Sequence, residues 1–156
     1  MIIRVADIDD LAQLLELEQS VVDAERPYNA SLKKGTVFYY DIEKLILCPD
    51  SHLLVIEVEG EIVATGYAQI RGSKLSLEHT KHAYLGFMYV SPSYRGQGLN
   101  SKLIKALIGW SKSLGIFDFY LDVYAENDSA IKAYEKVGFK PELLEMKLCL
   151  EQLNTQ

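Results

Sequence analysis

Apolar residues near the start of the chain recur at the spacing of an amphipathic helix. The stretch DIDDLAQLLELEQSVVDAE begins with aspartates, which favour the positive end of a helix, and Pro27 ends it. The apolar positions that fall on one face are Leu11, Leu14, Leu15, Val21 and Val22. The pattern predicts a helix that buries this face against a core, and the apolar segment IIRVA before it predicts an opening strand.

The rest of the chain alternates between strand-like and helix-like segments. HLLVIEVEGEIVATGYAQIR is rich in β-branched and aromatic residues on both sides of Glu59-Gly60, which predicts two strands joined by a tight turn. DIEKLIL predicts a short helix stopped by Pro49, and the polar residues 72–82 predict a loop. The remaining predicted elements are a strand at AYLGFMYV, a helix from about Gln97 to Leu114, a strand at FDFYLDVYA, a helix at DSAIKAYEKV and a last strand at ELLEMKLCL.

Two helices in the second half have recognisable ends. Gly115 suits the C-terminal cap of the first, while Asn127 is a good N-cap for the second and Gly138 ends it. The predicted buried stripe of the first consists of Leu99, Leu103, Leu107, Trp110 and Leu114. This order of elements, without a repeat or a linker, predicts one α/β domain over residues 1–156 with a mixed sheet.

Charge and composition reduce the number of functional classes to consider. The 156 residues include 16 Lys and Arg against 22 Asp and Glu, and a net charge of −6 disfavours non-specific binding of nucleic acid. The start MIIRVADIDD lacks the features of a signal peptide, and no apolar stretch approaches the ~20 residues that span a membrane. Cys48 and Cys149 lack metal-ligand spacing, and His79 and His82 beside Glu78 have no evident further ligand. We expect a cytoplasmic protein without a metal, a membrane or a nucleic-acid partner.

The segment RGQG lies between a predicted strand and a predicted helix. A helix N-terminus has unpaired N–H groups and a partial positive charge, both of which attract phosphate. Glycine lets the backbone approach an anion closely, and Arg95 would add a charge-assisted contact. The segment therefore predicts a phosphate cradle, although by itself it is equally compatible with an ordinary glycine turn. It matches neither a P-loop nor a dinucleotide-binding fingerprint, so the phosphate belongs to another ligand.

Two motifs together resemble the GNAT superfamily of acyl-CoA-dependent N-acetyltransferases. The family pattern V-x-P-x-[YF]-R-G-x-G-[IL]-[GA] corresponds to VSPSYRGQGLN here, with Asn100 at a position where the family prefers glycine or alanine. The pattern N-x-x-A-x-x-x-Y-x-x-x-G-[FY] is met by Asn127, Ala130, Tyr134, Gly138 and Phe139. The resemblance is clear from Tyr84 to Phe139 and rests on element order in the first half. It implies a GNAT fold, a mixed and mostly antiparallel central sheet flanked by helices on both faces.

The resemblance also implies a binding site for acetyl-CoA. The backbone N–H groups at the start of the second large helix would hold the pyrophosphate, and the end of the preceding strand would pair with the pantetheine arm. A backbone N–H in that strand would polarise the thioester carbonyl. The residues to which the resemblance assigns the cofactor are Met88, Tyr89, Val90, Arg95, Gly96, Gln97, Gly98, Leu99, Asn100, Asn127 and Tyr134.

The resemblance assigns catalytic roles to Asp122 and Tyr134. A primary amine with a pKa of ~10.4 is protonated at neutral pH and must lose a proton before it attacks. Asp122 lies where some family members have the base, and Glu126 and Glu78 are weaker candidates. The alternative for Asp122 is an outward-facing residue of an alternating strand. Tyr134 matches the residue that acts as general acid toward the thiolate, although full proton transfer is uphill by ~2 kcal/mol.

The expected reaction is direct transfer of an acetyl group to a primary amine of a small molecule in a ternary complex. Acidic residues among tyrosines in residues 23–43 indicate a cationic acceptor. The alternatives are acetylation of a protein N-terminus or lysine, and a catalytically silent CoA-binding sensor. Family members often dimerise, and the predicted last strand would suit the interface of a homodimer.

Overall fold

The chain builds an open sheet whose strands lie in sequence order. In the computed structural model, which describes residues 1–151, the first four strands of this five-stranded sheet are antiparallel and the last pair is parallel. The strands are β1 (Ile2–Val5), β2 (Ser51–Val58), β3 (Glu61–Gly72), β4 (Lys81–Val90) and β5 (Phe119–Tyr120). Helices α1 (Leu11–Glu25), α2 (Ile42–Leu47), α3 (Leu99–Ser113) and α4 (Asp128–Val137) connect or follow them. None of the helices in the described residues is long and apolar enough to cross a bilayer.

Alternate residues of the central strands face different helix layers. Leu53 and Val55 of β2 belong to the core cluster that includes Leu14 of α1 and residues of α2. Gly66 of β3 lies on the other face, where a side chain would meet Leu107 of α3. Since successive side chains of a strand point to opposite sides, helices cover both faces of the sheet. The predicted α/β fold, with a mixed and mostly antiparallel sheet, is confirmed.

The tight turn between β2 and β3 is also confirmed. Glu59 and Gly60 both have positive φ, at 51° and 82°. Two successive left-handed residues form the hairpin turn whose twist matches that of the flanking strands.

The chain separates into two compact units, and each can be described by itself. The first, Met1–Asp122, holds the sheet with α1, α2 and α3. The second begins at Val123 and holds α4. Asn127 caps the N-terminus of α4 and Gly138 ends it in the left-handed conformation, as the sequence predicted.

Helix α3 differs from its prediction at both ends. It starts at Leu99, because Gly98 before it is left-handed and serves as the N-cap. It ends at Ser113, so Leu114 lies beyond the helix and is exposed, and Trp110 stacks on His52 at a partly buried position. The residues that α3 buries are Leu99, Leu103, Ile104, Leu107 and Ser111.

Two predicted strands are shortened or missing. The strand predicted at FDFYLDVYA consists only of Phe119 and Tyr120, and the strand predicted at residues 142–150 is wrong. An apolar pattern indicates that a segment suits a strand, but a strand forms only where a neighbour supplies a hydrogen-bonded ladder. Within the described part of the chain, residues 142–150 have no such ladder. The homodimer that this strand was expected to support stays a prediction.

A charge cluster joins β1, β2 and the start of α1. Arg4 donates two hydrogen bonds to Asp10, at 2.7 and 2.8 Å, and one to Glu57 at 2.8 Å. Asp10 is only 5% exposed, and its carboxylate also accepts the backbone N–H of Asp7. The hydrogen bonds from Arg4 hold the pKa of Asp10 below its ordinary value.

We predict that Asp10→Asn lowers the free energy of unfolding at neutral pH by about 2 kcal/mol, because the charge-assisted bonds are lost. The pKa of Asp10 is lower in the folded protein than in the unfolded chain. Its contribution is therefore complete above the unfolded pKa and is lost as the pH falls through the folded one. Urea denaturation should show the difference between wild type and variant shrinking below about pH 4. Asp9→Asn, at an exposed neighbour, is the control, and an equal loss there would contradict the assignment to Asp10.

Candidate active site

The loop before α3 opens the helix N-terminus toward solvent. Gly96 and Gly98 have φ of 77° and 76°, a left-handed conformation in which side chains are strained. Nothing lies within 4 Å of the position that a Cβ on either glycine would occupy. Gly98 provides no side-chain cap, and the first N–H groups of α3 have no partner within the helix. The space and the donors fit a pyrophosphate at this end of α3.

Arg95 holds the loop against the end of β4. Its Nε donates to the carbonyl of Val90 at 3.0 Å, and its guanidinium lies 5.6 Å from the ring centre of Tyr89. Gln97 is exposed and Asn100 is partly buried, whereas Leu99 places its side chain in the core. At Leu99 only the backbone is therefore available to a ligand.

Strand β4 contains a bulge just before this loop. Thr65 pairs with Tyr89 and Tyr67 pairs with Gly86, so one residue of β3 lies opposite two residues of β4, Phe87 and Met88. Phe87 has φ of 52°, which is rare for a residue with a side chain. Such strain persists only where the surroundings over-determine it, and it is common at functional sites.

The outer edge of β4 is open beside this bulge. The parallel pairing of β4 with β5 covers only Ala83 with Phe119 and Tyr84 with Tyr120. Beyond Tyr84, β4 has no ladder partner on that side within the described residues. The predicted pantetheine contacts, Met88, Tyr89 and Val90, lie on this segment, and free backbone groups of a strand edge can pair with an extended ligand.

Asp122 lies just after β5, and a tyrosine of β4 binds its carboxylate. The hydroxyl of Tyr84 donates to its Oδ2 at 2.8 Å. Burial raises the pKa of Tyr84, and the hydrogen bond to Asp122 raises it further, so Tyr84 remains a neutral donor. The carboxylate of Asp122 is thereby fixed beside the open edge of β4.

A row of aromatic rings, here called the aromatic row, covers the face of the sheet that packs against α1. Tyr40 stacks on Phe87 with ring centres 4.7 Å apart, and it contacts Tyr67 at 5.9 Å. Tyr67 in turn lies 6.4 Å from Tyr84. A side chain at Gly86 would clash with the ring of Tyr67, so this glycine is what allows Tyr67 to lie directly on β4.

A buried carboxylate fixes the loop before α2 that carries Tyr39 and Tyr40, here called the tyrosine loop. Glu18 of α1 is fully buried, and its Oε2 accepts the backbone N–H groups of Tyr39 and Tyr40, both at 2.8 Å. Glu25, about two turns further along α1, lies beside Tyr39, and burial raises its pKa. The tyrosine loop is therefore tied to α1 by two hydrogen bonds to a buried carboxylate.

The second unit carries the other predicted motif. The Oδ1 of Asn127 accepts the N–H of Ala130 at 3.3 Å, and the N–H of Phe139 donates to the carbonyl of Tyr134 at 3.1 Å. The rings of Tyr134 and Phe139 meet edge to face at 6.0 Å. In this unit the motif residues define both ends of α4, and the roles of Asn127 and Tyr134 toward a cofactor stay predictions.

The histidines of the β3–β4 loop belong to a hydrogen-bonded cluster. The hydroxyl of Ser73 lies 2.8 Å from Nδ1 of His79 and 2.9 Å from Nδ1 of His82. The Nε2 of His79 lies 2.9 Å from the hydroxyl of Tyr120. Residues 1–151 hold no cluster of three or more metal-ligating side chains.

Several residues of this region escaped the sequence analysis. Tyr84, Tyr67 and Arg71 were not singled out, because a tyrosine or an arginine in a strand carries no signal by itself. Glu18 was detectable, since it lies on the apolar stripe of α1 between Leu14 and Val21, where a charge is unusual. Of the acidic residues in 23–43, Asp23 pairs with Arg26, and Asp41 caps α2.

Comparison with known proteins assigns the family. The model of the acetyltransferase (GNAT) family matches residues 10–139. An acetyltransferase of Sodalis glossinidius is 32% identical over 143 residues, which cover 90% of this chain and 87% of that protein. An uncharacterized N-acetyltransferase of Methanocaldococcus jannaschii is 30% identical over 139 residues, which cover 88% of this chain but only 60% of the longer relative. The chain belongs to the GNAT acetyltransferase family and is an acyltransferase.

Solved structures agree on the fold. A mutant protein from Bacillus halodurans superposes with a TM-score of 0.86 at 24% identity, covering 96% of this chain and 99% of the other. A predicted acetyltransferase of Clostridium acetobutylicum, solved with acetyl-CoA, has a TM-score of 0.72 at 19% identity and 97% coverage of both chains.

We predict that Glu18→Leu lowers the free energy of unfolding by about 2–4 kcal/mol, because two buried N–H groups lose their acceptor. Glu18→Gln should lose less, since its amide oxygen can still accept both bonds. Urea denaturation measures the stability, and hydrogen exchange at the amides of Tyr39 and Tyr40 reports whether the loop has loosened. Slow exchange at both amides in Glu18→Leu would contradict the assigned role.

Proposed function

We propose that the protein transfers an acetyl group from acetyl-CoA to a primary amine of a small molecule, by direct attack in a ternary complex. The observation that carries the proposal is the open start of α3 beside the bulged, unpaired edge of β4. The short segment 91–98 joins the free strand edge to the anion cradle, an arrangement that suits a pyrophosphate with an extended pantetheine arm. Family membership supports the same reaction.

The residues proposed to hold acetyl-CoA are those that the family motifs mark. The N–H groups of Gln97, Gly98, Leu99 and Asn100 would surround the pyrophosphate. Since Arg95 already donates to Val90, it would act mainly by shaping the loop. Met88, Tyr89 and Val90 would present backbone groups to the arm, and the family motif adds Asn127. When bound, acetyl-CoA supplies an activated acetyl thioester.

Asp122 and Tyr134 would move the protons. Asp122 would accept the proton that the amine nitrogen loses as its bond to the acetyl carbon forms. Tyr134 would hydrogen bond or protonate the sulfur as the carbon–sulfur bond breaks. A neutral amine and the thioester give an N-acetylated amine and the free CoA thiol. The proton that Asp122 takes from the nitrogen balances the proton that Tyr134 gives to the sulfur, and both side chains return to their starting states by proton exchange with solvent. The bond from Tyr84 supports this role for Asp122 by fixing the carboxylate.

We predict that Gly98→Trp weakens the binding of acetyl-CoA and of CoA more than tenfold, because the side chain fills the space in front of α3. Gly115→Trp is the matched control. Gly115 has φ of 78° and open space around it, so both variants bear a similar strain of about 1–2 kcal/mol. Titration calorimetry should show normal affinity in Gly115→Trp. Undiminished affinity in Gly98→Trp would place the cofactor elsewhere.

We predict that Tyr134→Phe lowers kcat about 10²-fold while the affinity for acetyl-CoA changes little, because the ring and its contact with Phe139 are kept. Steady-state kinetics with an amine acceptor and calorimetry with acetyl-CoA separate the two effects. An unchanged kcat would exclude the acid role. If wild-type protein bound acetyl-CoA but acetylated neither small amines nor peptides, a CoA-binding sensor would replace the enzyme proposal.

A further inference from the structure

Arg71 lies at the far end of β3, on the face that carries the aromatic row. Alternate residues of a strand share a face, so Arg71 and Gln69 lie on the same side of the sheet as Tyr67. The guanidinium carbon of Arg71 is 3.9 Å from the ring centre of Tyr84, a cation–π contact. Its Nε donates to Gln69 at 2.8 Å, and its positive charge opposes the rise that burial causes in the pKa of Tyr67.

The charge of Arg71 has no acidic partner within residues 1–151. The ion pairs there link Arg4 with Asp10 and Glu57, Arg26 with Asp23, and His79 with Asp118. Neutral groups therefore orient the side chain of Arg71, and its positive charge can still pair with an acidic group of a ligand. Arginine presents several N–H donors in a planar fork, which suits a carboxylate or a phosphate.

A fixed negative charge contacts the hydroxyl of the same tyrosine. Arg71 covers the ring of Tyr84, and Asp122 accepts the hydroxyl of Tyr84. The two charges form no ion pair within residues 1–151, because Arg71 lies over the ring of Tyr84 whereas Asp122 lies at its hydroxyl. A ligand that carries both an amine and an acidic group a few bonds apart would satisfy both charges.

We propose that Arg71 binds an acidic group, a carboxylate or a phosphate, of the acceptor whose amine faces Asp122. The proposal rests on the acetyl-transfer function above and specifies its acceptor as a small amino acid or an amino phosphate. It replaces the purely cationic acceptor that the acidic residues of the tyrosine loop suggested. Arg71 thereby sets specificity and takes no part in proton transfer.

The test compares amines that differ only in the acidic group. β-Alanine is paired with β-alaninamide, O-phosphoethanolamine with ethanolamine, and 1,3-diaminopropane represents a cationic acceptor. For wild type we expect kcat/KM to be at least about tenfold higher for one or both acidic amines than for their neutral partners. The two pairs show whether a carboxylate or a phosphate is preferred. Equal values within both pairs, or a preference for the diamine, would overturn the proposal.

Variants assign the preference to Arg71. Arg71→Met should abolish it by raising KM for the acidic amine about tenfold or more, with kcat and the neutral amine little affected. Arg71→Lys should restore only part of it, because lysine keeps the charge but loses the fork. Lys74→Met, which removes an exposed charge from the adjacent loop, should keep the preference. Loss of the preference in Lys74→Met as well would point to overall charge and contradict a specific site.

Binding separates this proposal from the proposed reaction. Calorimetric titration of the CoA-saturated protein with the same amines requires no turnover. Preferential binding of an acidic amine that depends on Arg71, without acetylation, would uphold the Arg71 site and remove the acetyl-transfer proposal. Acetylation without any preference for the acidic amines would uphold the acetyl-transfer proposal and overturn the Arg71 site. Neither acetylation nor preferential binding would overturn the two proposals together.

Discussion

The carboxylate of Glu18 fixes the position of the tyrosine loop, and the aromatic face of the site depends on that position. Two backbone N–H groups of the loop donate to one of its oxygens in a region closed to water. Unpaired, these donors would be expensive to bury. The loop is thus held by its backbone, which leaves the side chains of Tyr39 and Tyr40 to pack on the sheet and shape the site.

The tyrosine loop also supports the strained backbone at Phe87. Tyr40 stacks on its ring, and Tyr67 lies across the adjacent Gly86. Helix α1, the tyrosine loop, β3 and β4 therefore form one connected support for the bulge. The sites proposed for acetyl-CoA and for its acceptor both adjoin β4, so a change in the tyrosine loop would affect both.

The sequence predicts local features well and distant contacts poorly. The Glu59-Gly60 turn, the glycines before α3 and the caps of α4 are dictated by residues close in sequence, and the structure confirms them. The hydrogen bond from Tyr84 to Asp122 joins residues 38 positions apart, and no local sequence pattern predicts it. The strand expected at residues 142–150 was wrong because apolar character does not specify a partner. The bulge was hidden because AYLGFMYV is almost continuously apolar.

The extra residue in β4 acts as a phase shift in the strand. Before it, Tyr84 shares a face with the aromatic row, whereas Leu85 turns away from it. After it, Met88 points toward α3, and Tyr89 returns to the face of the row. Deleting one residue here would keep the composition of β4 almost intact but would invert one half of the strand relative to the other. The length of β4 is therefore as important as its composition, because one residue fewer would turn side chains of the core toward the site and side chains of the site toward the core.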